Sequence, residues 1–197
     1  MTRRGAAAIA IVVLAVFVGW VLFVALPRWY RPKPSTPAAA EQASRVDAPQ
    51  PAAARKITAT LYYVSEDGMS LVPAQREVPY AAEVADQARA IVEAQLAPAP
   101  PLVSAIPPGT TLRQVFVTER GDAFVDLSPE VTANHPGGSL EETLTVYSIV
   151  DALTVNLPAI TRVQILVNGK EVDTLAGHVD LRHPLAKSLE WVVHDTH

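Results

Sequence analysis

The chain has 197 residues, 49% of them apolar and 18% charged, with a formal net charge of -4 and no cysteine. That length gives room for one packed domain with appendages and excludes a large multidomain enzyme. The missing cysteines exclude a disulfide scaffold, a thiolate zinc site, a thiol nucleophile and a lipid attached through an N-terminal cysteine.

Charge is divided sharply along the chain. Residues 1 to 56 carry a net +6 and residues 57 to 197 a net -10. A globular part so acidic is repelled by phosphate backbones, so no nucleic acid is expected as a partner. From Gly5 to Leu26 there are 22 residues without one ionisable side chain. At about 1.5 Å of rise per residue, a helix of that length crosses the hydrocarbon layer. Arg3 and Arg4 precede it, and Arg28, Trp29, Tyr30, Arg31 and Lys33 follow, as interfacial anchors do. A cleaved signal peptide also begins this way, but its apolar core is shorter and ends at small residues, whereas this run ends in Phe23, Val24, Ala25, Leu26 and Pro27. The expected layout is a cytoplasmic tail (1–4), a single transmembrane anchor (5–26) and a C-terminal domain outside the cytoplasm. Such a chain resides in the inner (cytoplasmic) membrane as a single-pass protein.

Residues 27–56 hold six prolines and eight alanines, and beyond Tyr30 only Val46 as a branched aliphatic side chain. They cannot bury enough apolar area to offset their ordering entropy, and they read as a tether. Regular structure is expected from Ile57, whose run to Val64 is β-prone and ends at Ser65, Glu66, Asp67 and Gly68. Leu71 to Val78 allows a second strand, which Pro73 and Pro79 should keep short. Apolar residues recurring at three and four predict a helix from Ala81 to Leu96, stopped by the prolines at 98, 100 and 101. Leu112–Thr118 and Ala123–Leu127 predict a hairpin with Gly121 in the turn. Ser139 and Glu142 have the spacing of a capping box, in which Ser139 accepts from the Glu142 amide and Glu142 reaches back. The helix they open should run to Asn156. Arg162–Val167 and Lys170–Thr174 flank Asn168-Gly169, the preferred core of a type I′ turn. The order β-(β)-α-β-β-α-β-β indicates an α+β fold, with a single mixed or antiparallel sheet and two helices on one face. One domain over 57–185 and a C-terminal tail over 186–197 complete the division.

Candidate chemistry is sparse. His178, Asp180 and His183 are close in sequence but lack a recognised metal-ligand spacing, and no metal or cofactor is expected. Ser104, Ser128 and Ser139 are the available hydroxyl nucleophiles, and none sits in G-x-S-x-G. Asp126, between Val125 and Leu127, is the carboxylate of most interest. On an alternating strand it faces solvent or accepts amides from the Ser128-Pro129 turn; as an acid/base group it would act with Glu130 or His135. His135 to Gly138 could offer free amides to an anion, but the loop has no lysine and reads better as a flexible entry to the helix.

Four pieces then occur together: Ile106-Pro107-Pro108-Gly109-Thr110, Val125-Asp126-Leu127-Ser128, Gly137-Gly138 with Glu142, and Val163 to Gly169. In this order they resemble the GerMN domain family of sporulation and spore germination, over roughly Thr58 to Leu185. The resemblance implies a module related to the ring-building motifs of sporulation envelope complexes, and not a known catalyst. It marks Ile106, Pro107, Gly109, Thr110, Asp126, Ser128, Gly138 and Glu142 as family-motif positions. The chain departs from the namesake in having one such domain instead of two, and an apolar span without a lipid-bearing cysteine. The expected function is a non-catalytic interaction or assembly domain of the bacterial cell envelope, partnered by the membrane and by a second copy or another envelope protein. The alternative is a domain that binds or hydrolyses peptidoglycan.

Overall fold

A computed structural model describes residues 55–193. The expected tail (1–4), the expected span (5–26), the linker up to residue 54 and residues 194–197 lie outside the described residues. Among the described residues no helix is long and apolar enough to cross a membrane.

Strands β1 (Lys56–Val64) and β2 (Leu71–Pro79) form an antiparallel hairpin. Helix α1 (Val84–Leu96) follows, then β3 (Leu112–Val117) and β4 (Asp122–Leu127), a short helix α2 (Glu130–Ala133) and the long helix α3 (Ser139–Asn156). The chain continues through β5 (Arg162–Val167), β6 (Lys170–Glu171), β7 (Leu185–Ala186) and a 3-10 turn at Leu189–Trp191. This is the α+β fold that the sequence predicts, with the short helix α2 and strand β7 added to the predicted order and two sheets in place of the single one expected. The strands divide into two sheets: the β1-β2 pair, and a five-stranded sheet in the order β3-β4-β5-β6 with β7 also pairing β5. Within the larger sheet β4 and β5 run parallel and the other pairs antiparallel.

Two sheets arise because both long helices contact both groups of strands. Helix α1 packs on β1, β2 and β3, and α3 packs on β1 and β5. Helix α3 is buried continuously from Leu144 to Leu153 apart from Tyr147, so almost every side around its axis is covered. The core face of the larger sheet is Val115, Ala123, Val125, Leu127, Val163, Ile165 and Val167, all buried, alternating with residues on the other face. Part of that other face is covered by the chain after β6, where Leu175 and Leu181 are buried and the Gln164 amide donates to the Leu181 carbonyl.

Strand β2 spans nine residues in spite of its two prolines. Pro73 and Pro79 sit where the backbone faces away from β1, so neither removes a hydrogen bond from the ladder. The opposite edge of the hairpin is closed by side chains. Asn156 of α3 brackets Thr60, accepting from its N–H at 2.8 Å and donating to its carbonyl at 2.7 Å. Gln95 of α1 does the same for Tyr62, at 2.9 and 2.6 Å. The Val103 carbonyl accepts from the Val64 N–H at 2.8 Å. Two helical amides and one loop carbonyl thus replace a neighbouring strand. Asn168 and Gly169 both take positive φ, 52° and 75°, as a type I′ turn requires.

Candidate functional site

The I-P-P-G-T loop, residues 106–110, is built from local bonds. Ser104 Oγ accepts from the Ile106 N–H at 3.1 Å, while the Pro107 carbonyl accepts from both the N–H and the hydroxyl of Thr110, at 3.3 and 2.7 Å. Gly109 supplies the left-handed backbone, φ +83°. The loop is then tied to the strand and helices behind it. The Ser128 hydroxyl accepts from the Thr111 N–H at 2.9 Å, and Asn134 Nδ2 donates to the Pro108 carbonyl at 2.8 Å. His135 Nδ1 accepts from the Gly137 N–H at 3.0 Å, which assigns the ring proton to Nε2, facing Thr145 Oγ1 at 3.3 Å. The Thr145 hydroxyl lies 2.6 Å from the Ala105 carbonyl. Burial lowers the His135 pKa and nearby His178 acts the same way, outweighing the pull of Glu142 and Glu141, so the ring is neutral at pH 7.

A cavity of about 500 Å³ opens between this loop and Pro98–Leu102, the segment that follows α1. Four motif positions, Ile106, Pro107, Gly109 and Thr110, line it. No ionisable side chain does, and its two hydroxyls, Ser104 and Thr110, are engaged in the loop's own bonds. The cavity therefore offers a proline-walled surface of mixed polar and apolar character, and proton transfer has no acidic or basic side chain to work with there.

Asp126 lies elsewhere. It is 6% exposed, and its Oδ1 accepts from the Gly169 N–H at 2.7 Å while its Oδ2 meets Arg113 Nε at 3.1 Å. The carboxylate fastens the β5-β6 turn and the start of β3 to β4. Neither solvent exposure nor the Ser128-Pro129 amides account for it, and in that respect the reading of the strand alone is corrected. Glu130 is half-buried, and its carboxyl is held below the usual range chiefly by the Ser128 hydroxyl. Asp126, Glu130 and His135 do not line the 500 Å³ cavity and do not meet as a catalytic set.

The predicted capping box at Ser139 does not form. Gly138, at φ +88°, is the N-cap residue, no side chain caps the helix, and the Glu142 N–H donates to the Gly138 carbonyl at 3.2 Å. Glu142 turns instead into the interior, where it is completely buried. Its Oε1 accepts from the Leu175 N–H at 2.7 Å and its Oε2 from the His178 N–H at 2.8 Å, with His178 Nδ1 3.3 Å away. Burial works to raise the Glu142 pKa. The N–H groups of Ala176, His178, Leu175 and Val179 outweigh it, so the carboxyl lies below its ordinary range. The short spacing S-x-x-E pointed to the local partner, whereas the real partner lies 33 to 37 residues away.

A third buried carboxylate escaped the sequence reading. Asp151 of α3 accepts from the Ser188 N–H at 3.0 Å through Oδ1, and its buried Oδ2 has no partner among the described residues. Burial pushes its pKa up to about 6, against the opposing effects of the Ser188 N–H and Lys187. A lone Asp among helical apolar residues was the available signal. Among the described residues no group of three His, Cys, Asp or Glu side chains could hold a metal ion; Asp180 pairs with Arg182 at 2.6 Å and His178 faces Glu142.

An α+β module with two helices between its strands, and with its loop motifs bonded to one another, is the class that the fold defines. The chain belongs to the Germane family, sporulation and spore germination, whose model matches residues 60–173. Among solved structures it is similar to the tandem GerMN domains of the sporulation protein GerM from Bacillus subtilis, with a TM-score of 0.52 and 19% identity over 67% of this chain and 46% of that one. The first GerMN domain of the same protein aligns with a TM-score of 0.48 and 19% identity, over 66% of this chain and 95% of that one. A candidate lipoprotein of Clostridium perfringens aligns with a TM-score of 0.48 and 23% identity, over 67% of this chain and 88% of that one. No curated protein matches the sequence. The likeness to the tandem GerMN domains shows the fold.

Proposed function

We propose that this chain is a membrane-anchored domain of the bacterial cell envelope that works outside the cytoplasm by binding protein, and that it performs no chemistry of its own. One observation carries the reading. Asp126, Glu142 and His135 are each engaged by backbone N–H groups or by the loop network, Asp151 with its one unpartnered oxygen is completely buried, and the proline-walled cavity has no ionisable lining. Membership of the Germane family supports it. The 22-residue apolar run and the Pro/Ala-rich tether, read from the sequence, supply the anchor and the reach. The motif positions Ile106, Pro107, Gly109, Thr110, Ser128 and Gly138 act in this reading by shaping the loops that face a partner.

Cell fractionation of the full chain combined with in-cell formaldehyde cross-linking tests this. The expected result is a membrane-fraction protein recovered in a cross-linked species larger than the monomer. Recovery from the cytosol, or turnover of peptidoglycan fragments by the purified chain, would falsify it.

A further inference from the structure

Three of the four strand edges among the described residues are blunted, each by a different means. The outer edge of β1 is bracketed by Asn156, Gln95 and Val103. That of β2 turns Leu71, Pro73, Gln75, Glu77 and Pro79 outward, so two of its five outward residues have no N–H to give, and the Leu71 carbonyl accepts from Val193. The far edge of the larger sheet consists of β6 and β7, two residues each. All three are known ways of preventing strand addition.

Strand β3 is different. The Leu127 carbonyl accepts from the Asn168 N–H at 2.9 Å, so Ala123, Val125 and Leu127 turn their backbone polar groups toward β5. Their opposites across the antiparallel pair, Val117 and Val115, consequently turn theirs outward. The Thr118 N–H donates to the Asp122 carbonyl at 2.9 Å, which fixes the same alternation from the turn end. No hydrogen bond reaches the N–H or carbonyl of Val115 or Val117 among the described residues. Between these two valines Phe116 is 53% exposed, beside Phe124 on the neighbouring strand. No proline interrupts the strand, and its one irregularity, a register shift between Leu112 and Gln114, lies at its start, ahead of the two valines.

We propose that β3 is the seam of a homodimer, in which the β3 strands of two copies pair antiparallel about a two-fold axis at Phe116. The proposal rests on the assembly reading above and names its surface and partner. An isologous contact requires each residue's opposite to suit it, and this one does. Val115 and the partner's Val117 exchange both backbone hydrogen bonds, as do Val117 and the partner's Val115. Phe116 lies directly opposite the partner's Phe116 in the closer, non-hydrogen-bonded type of pair. With Phe124 behind each, the seam carries four phenylalanines in a row, the kind of cross-strand aromatic contact that stabilises sheets. On β2, centring the same operation on Arg76 sets two arginines against each other, with Pro73 facing the partner's Pro79, and every register meets two outward residues that have no N–H. Hydrogen-bonding capacity selects β3.

The absence of native cysteine makes the register directly testable in the full 197-residue chain, purified in detergent. Phe116→Cys places two sulfurs across a pair with Cα atoms about 4.5 Å apart, inside the range a disulfide accepts. Gln114→Cys puts its two sulfurs about four residues out of step, roughly 13 Å apart along the strand, and Arg76→Cys reports the β2 edge. Under mild oxidation Phe116→Cys should form a disulfide dimer at least about tenfold faster than either of the others, since only its spacing lies within disulfide reach. Phe116→Lys, at an exposed position, should shift the chain from dimer to monomer in sedimentation. Equal rates for the three cysteine variants overturn the seam. An oligomer that persists in Phe116→Lys, with no fast disulfide in Phe116→Cys, overturns the seam while leaving assembly through another surface standing. A chain that is monomeric throughout also overturns the seam, and the in-cell cross-linking then decides the broader reading on its own.

Discussion

The outer edges of β1 and β3 are the same kind of object and are treated in opposite ways. At β1 two amide side chains reach out of α1 and α3 and occupy the backbone groups of Tyr62 and Thr60 one for one. At β3 the backbone groups of Val115 and Val117 meet nothing within the described residues, and an exposed phenylalanine sits between them. The difference teaches that packing and edge closure are separate: α1 packs on β3 as it does on β1, yet of these two strands, among the described residues, it sends a side chain to the backbone groups of β1 alone. Buried polar groups do the closing, and perturbing them should cost the most.

Glu142 is the largest such case. Four N–H groups of the segment 175–179 converge on a carboxylate with no access to water, so removing its charge leaves donors stranded. Glu142→Ala should destabilise the fold by about 3–5 kcal/mol, the scale for breaking a buried charged interaction, read as a fall in thermal midpoint. The depressed pKa also fixes a sign. Its stabilisation is present above the ordinary carboxylate range and is lost as pH falls through the lower native value. Melting curves at descending pH should therefore show an acid loss in the parent that Glu142→Ala lacks; parallel curves would remove this account of the nest.

Gln95 comes next. It is fully buried, and its amide is matched to both polar groups of Tyr62. Gln95→Ala strands a buried N–H and a buried carbonyl and opens a cavity, together about 2–4 kcal/mol. Gln95→Glu keeps the volume but loses the donor to the Tyr62 carbonyl, so it should rescue little. A denaturant series comparing the two separates packing from hydrogen bonding, and full rescue by Gln95→Glu would assign the effect to packing alone.

These two residues also show why the fold was more legible than its fastenings. The helix over Ala81–Leu96 announces itself by recurring apolar side chains, and its last apolar position, Leu96, is where α1 ends. Gln95 looks like any polar helical residue, because its partner is 33 positions away on a strand. The Ser139-Glu142 spacing misleads for the same reason. A local motif and a long-range anchor use the same residue types, and only the tertiary structure chooses between them. Strand β2 outgrew its expected length because proline forbids a hydrogen bond on one side of the backbone only, and 73 and 79 both fall on the free side. The chain from 172 to 193 carried little local signal at all. It is held by Glu142, Gln164 and Asp151, each belonging to an element formed earlier in the sequence. The motif loop at 106–110 was legible as a unit, while the bonds joining it to Ser128, Asn134 and Thr145 were not.

Asp151 tests the closing role with the opposite sign. Its pKa of about 6, against 3.8 for a free aspartate, means that the folded chain keeps this proton to higher pH than the unfolded chain does. The stability this gives is fully present below 3.8 and is lost as pH rises through about 6, where a buried anion with one unpartnered oxygen remains. Asp151→Asn keeps the acceptor for Ser188 and carries no charge. At pH 7.5 it should be more stable than the parent by roughly 2–3 kcal/mol, since each tenfold change in proton affinity is worth about 1.4 kcal/mol. Below pH 4 the two should converge. Melting both proteins between pH 4 and 8 gives the answer; a variant less stable at every pH would mean that the carboxylate is a needed partner and not a burden.

Phe116→Lys should give the smallest stability change and the most informative one. A side chain half in water, on a strand whose outer neighbour is missing, contributes little to the isolated fold, so unfolding monitored at a concentration low enough to keep the chain monomeric should move by no more than about 0.5 kcal/mol. The same substitution should abolish the concentration dependence of the thermal midpoint if two β3 edges pair, because the dimer then stabilises the folded state by mass action. Phe124→Lys, on the half-buried neighbour, combines both effects and makes a poorer probe. A large loss of monomer stability in Phe116→Lys would instead place Phe116 among the residues that hold the sheet together, and β3 would then resemble β1 in being closed from within.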